Sequence, residues 1–452
     1  MDISVVGAAG TIGRQIAIAL VQARIPGPEG RLQLIGRRGG ASERVLFGLA
    51  SDLRDAHGEE LPELDLALDP AEVRADVVIL AAGATVSGEP GGPRTRGELI
   101  HHNRPLAEQV ATAMAANGSG AELLLVLTNP VEALVETAAA VLGPRRVVGL
   151  GAVLDTMRFR QEIADELGVR RQRVTGLVLG EHGLGMVPCW STVSVHGLGP
   201  DGGRERIARL RRPAPFATVV DGMHELDAVM RRDGIAAAYR MVEACDAGWR
   251  TVLRPYVTQF SGARTPVGSA ATIARVLAVL AQGGQLLTAA QVRLDGSWLG
   301  LDGTTGAPVV LSRTGIERIA PVDLAADEVA ALGSGRGVAA LGATPPAGQV
   351  PGRSWLILCT MLRQDRPGML ARLSRVFAER GLSLDGLVAG PRHGRPTVLA
   401  ACHADDALRD LLIGRLRRDP DVAEVRAEPA DGRPPWSLLD GAVPATGGGG
   451  GW

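Results

Sequence analysis

Residues 3–22 read ISVVGAAGTIGRQIAIALVQ: a short apolar run, a turn holding Gly7, Gly10 and Gly13, and a stretch with apolar residues at helical spacing. Glycines at such a turn let the backbone bend sharply and approach a pyrophosphate. The amino terminus of the following helix offers N–H donors and the positive end of its dipole. A glycine motif alone is a weak signal, and its setting gives it weight. Here it is the first strand-to-helix turn of an alternating pattern that continues with RLQLIG, ADVVILAAG, ELLLVLTN and RVVGLGA, each separated from the next by amphipathic segments. Apolar runs of that kind are what buried parallel strands with crossover helices produce. The expectation is an α/β fold whose residues 1–150 form a Rossmann domain with a doubly wound parallel sheet. Gly7, Gly10, Thr11, Ile12 and Gly13 are its dinucleotide-binding turn.

The second strand, LQLIG, ends at Gly36 and is followed by Arg37 and Arg38. A carboxylate at that end would take the ribose hydroxyls of NAD. Without one, repulsion against a 2'-phosphate is removed, and two guanidiniums stand ready to pair with it. Gly36, Arg37 and Arg38 therefore predict NADP, with NAD as the alternative if the arginines are only a solvated pair.

The 452 residues exceed one ordinary core and predict two or three domains. Hydrophobic residues make up 46% and aromatic residues 3%, so the cores are expected to be aliphatic and alanine-rich. The formal net charge of -1 points to neither nucleic acid nor an anionic membrane as partner. All 48 basic residues other than histidine are arginine. Cys189, Cys245, Cys359 and Cys402 have no spacing that suggests a disulfide framework or a metal site. With no signal peptide ahead of the first strand and no apolar run long enough to span a bilayer, a soluble, cytoplasmic protein is expected.

Two motifs carry chemistry. In Leu154-Asp155-Thr156-Met157-Arg158, Asp155 and Arg158 are three apart in a helical stretch, so both leave one face. A histidine beside that face, such as His182 of Gly180-Glu181-His182-Gly183, would gain a carboxylate that fixes its tautomer and raises its basicity. Such a set holds a substrate carboxylate on the guanidinium while the imidazole moves a proton. The bland alternative is a surface ion pair and an unrelated loop histidine.

Along the chain, residues 151–332 continue with longer helices and a late strand-rich section, and 333–352 (GSGRGVAALGATPPAGQVPG) reads as a linker. A further unit covers 353–430, and 431–452 reads as a disordered tail apart from what Trp436 and Leu438 anchor.

The ordered motifs GAAGTIG, ILAAGA, RTRGELIHHN, TNP, GAVLDTMRFR, GEHG, GSAAT and VVLSRTGIERI resemble the malate/lactate dehydrogenase family over residues 1–332. The resemblance implies a Rossmann domain followed by an α+β catalytic domain. It also implies reversible hydride transfer between a nicotinamide and a 2-hydroxy/2-oxo acid. By position, His182 would be the proton donor and acceptor, Asp155 its orienting carboxylate and Arg158 the carboxylate clamp. Arg96 would be the mobile-loop arginine that polarises the carbonyl, Asn129 an amide on the substrate oxygen, and Ser269 part of the pocket wall. Ala82, Gly83, Asn103, Thr128 and Asn129 would line the nicotinamide side. The family's specificity residue would fall within ATVSGEPGGPRT, where Gly88 and acidic Glu89 offer no clamp for a second carboxylate. A specialised 2-oxo acid is then expected, or malate if Arg94 folds inward as the second clamp. A third possibility is a catalytically silent sensor of nicotinamide or amino acid. The resemblance further implies a homodimer or homotetramer.

Residues 353–430 read strand, helix, strand, strand, helix, strand. This ferredoxin-like βαββαβ order, with DRPGML and RGLSL, resembles the ACT domain, a module that commonly binds amino acids. That resemblance implies an effector site at Asp365, Arg366, Pro367 and Gly368, at the first strand-to-helix turn. The alternative is a module that only dimerises.

Overall fold

The apolar runs that open the chain become strands buried on both faces. The computed structural model describes residues 1–85, 96–198, 200–211, 216–260, 265–334, 354–363, 369–378, 386–404 and 406–429. Strands β1 (Ile3–Val6), β2 (Arg31–Ile35), β3 (Glu63–Ala67), β4 (Val77–Leu80), β5 (Leu123–Val126) and β6 (Val147–Gly149) form a parallel sheet in the order β3-β2-β1-β4-β5-β6. Successive side chains of a strand face opposite ways, and β1 obeys this. Ile3 and Val5 join Ile16 and Leu20 of helix α1 (Thr11–Gln22) and Leu46 and Leu53 of α2 (Gly40–His57) in one core. Val6 joins Val110 and Met114 of α3 (Arg96–Asn117) and Leu134 and Val135 of α4 (Val131–Leu142) in another. Each fully buried Leu or Ile contributes about 1.5–3 kcal/mol relative to an exposed one. The sheet is covered by helices on both faces, as the apolar runs predicted.

Five of these strands are marked in the sequence by apolar runs, and β3 is not. Its sequence, ELDLA, alternates acidic with apolar residues, because β3 is the edge strand and only Ala67 is buried. Such a strand lacks the continuous apolar run that marks its neighbours.

The second half grows from the same sheet. Helix α5 (Gly151–Leu167) follows β6, and the hairpin β7 (Val174–Gly180)–β8 (Met186–Val195) follows α5. Helices α6 (Pro200–Arg211), α7 (Phe216–Asp233), α8 (Ile235–Glu243), α9 (Ala247–Phe260) and α10 (Pro266–Ala281) precede β9 (Leu286–Asp295), β10 (Asp302–Ser312), β11 (Gly315–Ile319) and α11 (Ala326–Ser334). Pairing of Gly149 with Gln291 joins β6 to β9, and pairing of Gly306 with Gly180 joins β10 to β7. Helix α10 returns to the first core through Ile273, Leu277 and Leu280. A separate core around Phe159, Trp190, Met223 and Tyr256 packs α5 against α7 and α9, with the Phe159 and Trp190 rings edge to face at 5.0 Å.

The chain divides into two compact units, Met1–Ala343 and Thr344–Trp452. The division falls within the glycine- and proline-rich stretch 333–352. In the second unit, β12 (Ser354–Leu362), α12 (Met369–Ala378), β13 (Gly386–Arg392), β14 (Arg395–Ala404), α13 (Asp406–Leu416) and β15 (Val422–Pro429) run in the predicted order, with an antiparallel sheet β13-β14-β12-β15. Met369, Leu373 and Phe377, at helical spacing, are buried with Leu358, Val398 and Val425 of the sheet. None of the four cysteines forms a disulfide. No helix among the described residues is long and apolar enough to cross a membrane.

Candidate functional site

The turn after β1 is held tightly. The Gly7 and Ala8 N–H groups both donate to the Ile35 carbonyl, at 2.8 and 3.0 Å, and the Gly10 N–H donates to the Gly7 carbonyl at 2.9 Å. A Cβ on Gly13 would lie 2.1 Å from the Gly7 oxygen, so only glycine lets α1 begin this close to the turn. Gly10, the N-cap of α1, contributes no capping side chain, and the first turn holds no acidic residue. The positive end of the helix dipole is therefore left for an anion, and the cradle fits a dinucleotide pyrophosphate.

At the carboxyl ends of β4 and β5, where ligands bind in open α/β sheets, one buried side chain knits two loops together. Asn103 accepts from the Ala84 N–H at 2.7 Å and donates to the Ala84 and Asn129 carbonyls at 3.0 and 2.7 Å. The Thr128 hydroxyl donates to the Ala82 carbonyl at 2.7 Å, and Gly83 packs so closely that a Cβ would lie 2.6 Å from the Thr128 methyl. Ala82, Gly83, Asn103, Thr128 and Asn129 thus form one hydrogen-bonded and closely packed group, and Gly83 and Asn129 are its exposed members.

At the end of β2, Gly36 is buried and its N–H donates to the Ala67 carbonyl, while Arg37 and Arg38 are exposed. Neither guanidinium has a carboxylate partner among the described residues. A carboxylate also enters this turn from a position that no sequence motif marks: Glu43, in the first turn of α2, accepts from the Gly39 N–H.

The two chemical motifs meet. His182 sits in the tight connection of β7 to β8, closed by hydrogen bonds from the Glu181 N–H to the Gly185 carbonyl and from the Met186 N–H to the Gly183 carbonyl. Gly183, at φ +111°, adopts a conformation that side chains rarely take. The imidazole Nδ1 is 2.7 Å from Asp155 Oδ2, and the Asp155 side chain is 3% exposed. Arg158 leaves the same face of α5, with Nη1 3.5 Å from Asp155 Oδ1 and Nη2 donating to the Thr265 hydroxyl at 3.2 Å. Burial lowers the affinity of the imidazole for its proton. The Asp155 charge and hydrogen bond, with the Glu132 charge, outweigh burial and the opposing Arg158, and the His182 pKa ends above its ordinary value. Ser269 is buried on α10, and its hydroxyl donates to the Thr265 carbonyl at 3.0 Å.

Three neighbours of this cluster were not anticipated. The Glu132 carboxylate accepts the His182 backbone N–H at 2.6 Å. Thr265 supports Arg158 from 107 residues away. Gly151 makes room for the ring, since a Cβ there would lie 2.7 Å from the His182 Cγ. The Thr-Pro that starts α10 and the glycine that starts α5 are local signals of helix starts, and nothing local links either to His182. Gly88, Glu89, Arg94 and Asp365–Gly368 lie outside the described residues, as does the side chain of Arg96, the first residue of α3. A depression of about 1050 Å³ adjoins the opposite face of α5, where Thr156, Met157 and Arg160 line it, and takes no part in this cluster.

Residues 1–149 match the family model for the NAD binding domain of lactate/malate dehydrogenase, and residues 152–205 match that for the family's alpha/beta C-terminal domain. Residues 358–421 match the ACT domain. An L-lactate dehydrogenase of Treponema denticola is 29% identical over 335 residues, 73% of this chain and 93% of that protein. One of Thermus aquaticus is 33% identical over 254 residues, 54% of this chain and 72% of that protein. A malate dehydrogenase of Staphylococcus carnosus is 29% identical over 256 residues, 56% of this chain and 70% of that protein. Among solved structures, the malate dehydrogenase of Cryptosporidium parvum covers 74% of this chain and 94% of its own, with a TM-score of 0.54 and 22% identity, a likeness of fold. A glycine cradle shaped for a pyrophosphate, two family domains in their order and a relative 33% identical over 72% of its length place the chain in the lactate/malate dehydrogenase family, as an oxidoreductase acting on CH–OH groups with a nicotinamide cofactor.

Proposed function

We propose that the chain reversibly reduces a 2-oxo acid to its 2-hydroxy acid, with NADPH preferred over NADH and a specialised 2-oxo acid as substrate. The observation that supports this is the 2.7 Å contact of His182 Nδ1 with Asp155 beside the Arg158 guanidinium. Asp155 takes the Nδ1–H, so Nε2 is the nitrogen left to face a substrate. Arg158 receives the C1 carboxylate in a two-pronged ion pair. That grip sets the C2 carbonyl oxygen toward Nε2, which gives it a proton in reduction and takes the hydroxyl proton in oxidation. The bound nicotinamide supplies or accepts the hydride at C2. Arg96, the first residue of α3, polarises the carbonyl, and Asn129 contacts the same oxygen.

The interval 84–95 holds no basic residue at Gly88 or Glu89, which favours an acid without a second carboxylate. Malate remains the second reading through Arg94. A screen at 340 nm of NADPH and NADH oxidation against oxaloacetate, pyruvate and branched, aromatic, amino-bearing and phosphonate-bearing 2-oxo acids tests both. Activity confined to oxaloacetate selects the malate reading, and no turnover of any member defeats the proposal. The ACT domain makes amino acids the class of effector to add to this assay, with Asp365–Gly368 as their site.

NADPH preference is supported by the two exposed guanidiniums at the end of β2. Replacing Arg37 and Arg38 with Ala together with Gly36→Asp should move the ratio of kcat/KM for NADPH to that for NADH toward NADH by about 10–100-fold, the loss of charged hydrogen bonds to a phosphate. A Cβ at Gly36 would meet Leu46 Cδ2 at 3.2 Å and Ser42 Oγ at 3.4 Å, so the new residue requires the Leu46 side chain to give by a few tenths of an ångström. An unchanged ratio rejects the preference.

A further inference from the structure

Glu132 is a wholly buried carboxylate that the proposed chemistry does not use. It lies in the first turn of α4, where the helix dipole stabilises negative charge. Its Oε1 accepts the His182 backbone N–H at 2.6 Å, across 50 residues of sequence. Asp155 holds the same histidine by its ring, so two carboxylates from two helices grip one residue.

We infer that Glu132 is a positioning residue for His182, holding its backbone and placing a second buried negative charge behind the ring that moves the proton. This rests on the proposed role of His182. A buried acid that only tethered a loop would act through its hydrogen bond. This one also acts through its charge, because at a buried site a nearby carboxylate favours the imidazolium far more than it would in water. Among the described residues, the charged groups that act on the ring are Asp155 and Arg158 from α5 and Glu132 from α4, while the neutral Thr265 hydroxyl, just before α10, accepts from Arg158. Asp155 and Glu132 raise the proton affinity of the imidazole and Arg158 lowers it. Glu132 therefore helps keep His182 protonated in the direction of reduction.

Glu132→Gln separates tether from charge, since the amide oxygen still accepts the His182 N–H while the charge is gone. The pH at which kcat/KM for 2-oxo acid reduction falls should move down by roughly one pH unit, with KM for the acid little changed. The full-length protein carrying ¹³C-labelled histidine gives an independent readout. The His182 ring signal, assigned by its loss in His182→Gln, should titrate lower in Glu132→Gln by the same amount. An unmoved inflection in both measurements, with activity lowered equally at every pH, overturns the inference and leaves Glu132 a tether. A moved ring titration in a protein that turns over no 2-oxo acid sustains the coupling and rejects the reductase reading instead. If Glu132→Gln fails to fold, Glu132→Asp carries the test. It keeps the charge, so a His182 titration like that of the parent supports the inference and one lowered by a full pH unit overturns it.

Discussion

His182→Gln is expected to lower kcat/KM for 2-oxo acid reduction by about three orders of magnitude, within the range that a positioned acid–base group contributes. Glutamine keeps the polarity and approximate volume of the ring and cannot deliver a proton. The loss, about 4 kcal/mol of transition-state stabilisation, should appear in kcat while dinucleotide binding, followed by cofactor fluorescence, stays within a factor of about two. Asp155→Asn should follow closely, because an amide cannot hold the Nδ1–H tautomer as a carboxylate does. The parent's pH profile carries the same signature. Burial pushes the His182 pKa down, and the Asp155 and Glu132 carboxylates push it up by more, so it lies above the ordinary 6.5. Reduction, which needs the imidazolium, should hold through pH 6.5 and fall only as pH rises through the elevated value. Oxidation, which needs the neutral ring, should rise over the same interval. The stability that protonated His182 contributes is likewise complete below its unfolded pKa and is lost as pH rises through the folded one. A His182→Gln variant that kept a tenth of the parent's kcat would sink the assignment.

Much of the Rossmann half is legible in the sequence because parallel strands buried on both faces must be apolar throughout. VVIL and LLLV leave little room for another reading. Glu63–Ala67 is not legible for the complementary reason: an edge strand faces solvent, and its acidic residues break the apolar run. In the second unit, Met369, Leu370, Leu373, Val376 and Phe377 fall at helical spacing in the sequence, and Met369, Leu373 and Phe377 are buried on that face of α12. The candidate site was legible only where its partners are local. Asp155 and Arg158 share a helix face by spacing alone, and GEHG offered the histidine. Glu132, Gly151 and Thr265 come from three other places in the chain, and no local periodicity encodes a contact across 50 or 107 residues. The turn after β2 shows the same limit from another side. Arg37 and Arg38 read as a phosphate site, but Glu43 reaches that turn only because α2 starts there and its first turn points back at Gly39.

Arg158→Leu is the second large effect expected, and it should fall on substrate binding. Two charged hydrogen bonds to a carboxylate contribute roughly 1.5–3 kcal/mol each, so KM for the 2-oxo acid should rise by about 10²–10⁴-fold. Arg158→Lys keeps a charge and loses the planar fork, and should be intermediate. The packing tolerates leucine. The guanidinium is 21% exposed, Thr265 can turn its hydroxyl to water, and Asp155 keeps its shorter bond to His182. Arg158 also opposes protonation of His182. Its loss should therefore move the inflection for reduction to higher pH, the opposite direction from Glu132→Gln. Opposite movements of one inflection by two substitutions, one of which raises KM while the other leaves it nearly unchanged, would identify a single histidine poised between a carboxylate clamp and two buried acids. An Arg158→Leu protein that keeps the parent's KM would place the substrate carboxylate elsewhere and remove the basis for reading this helix face as the substrate site.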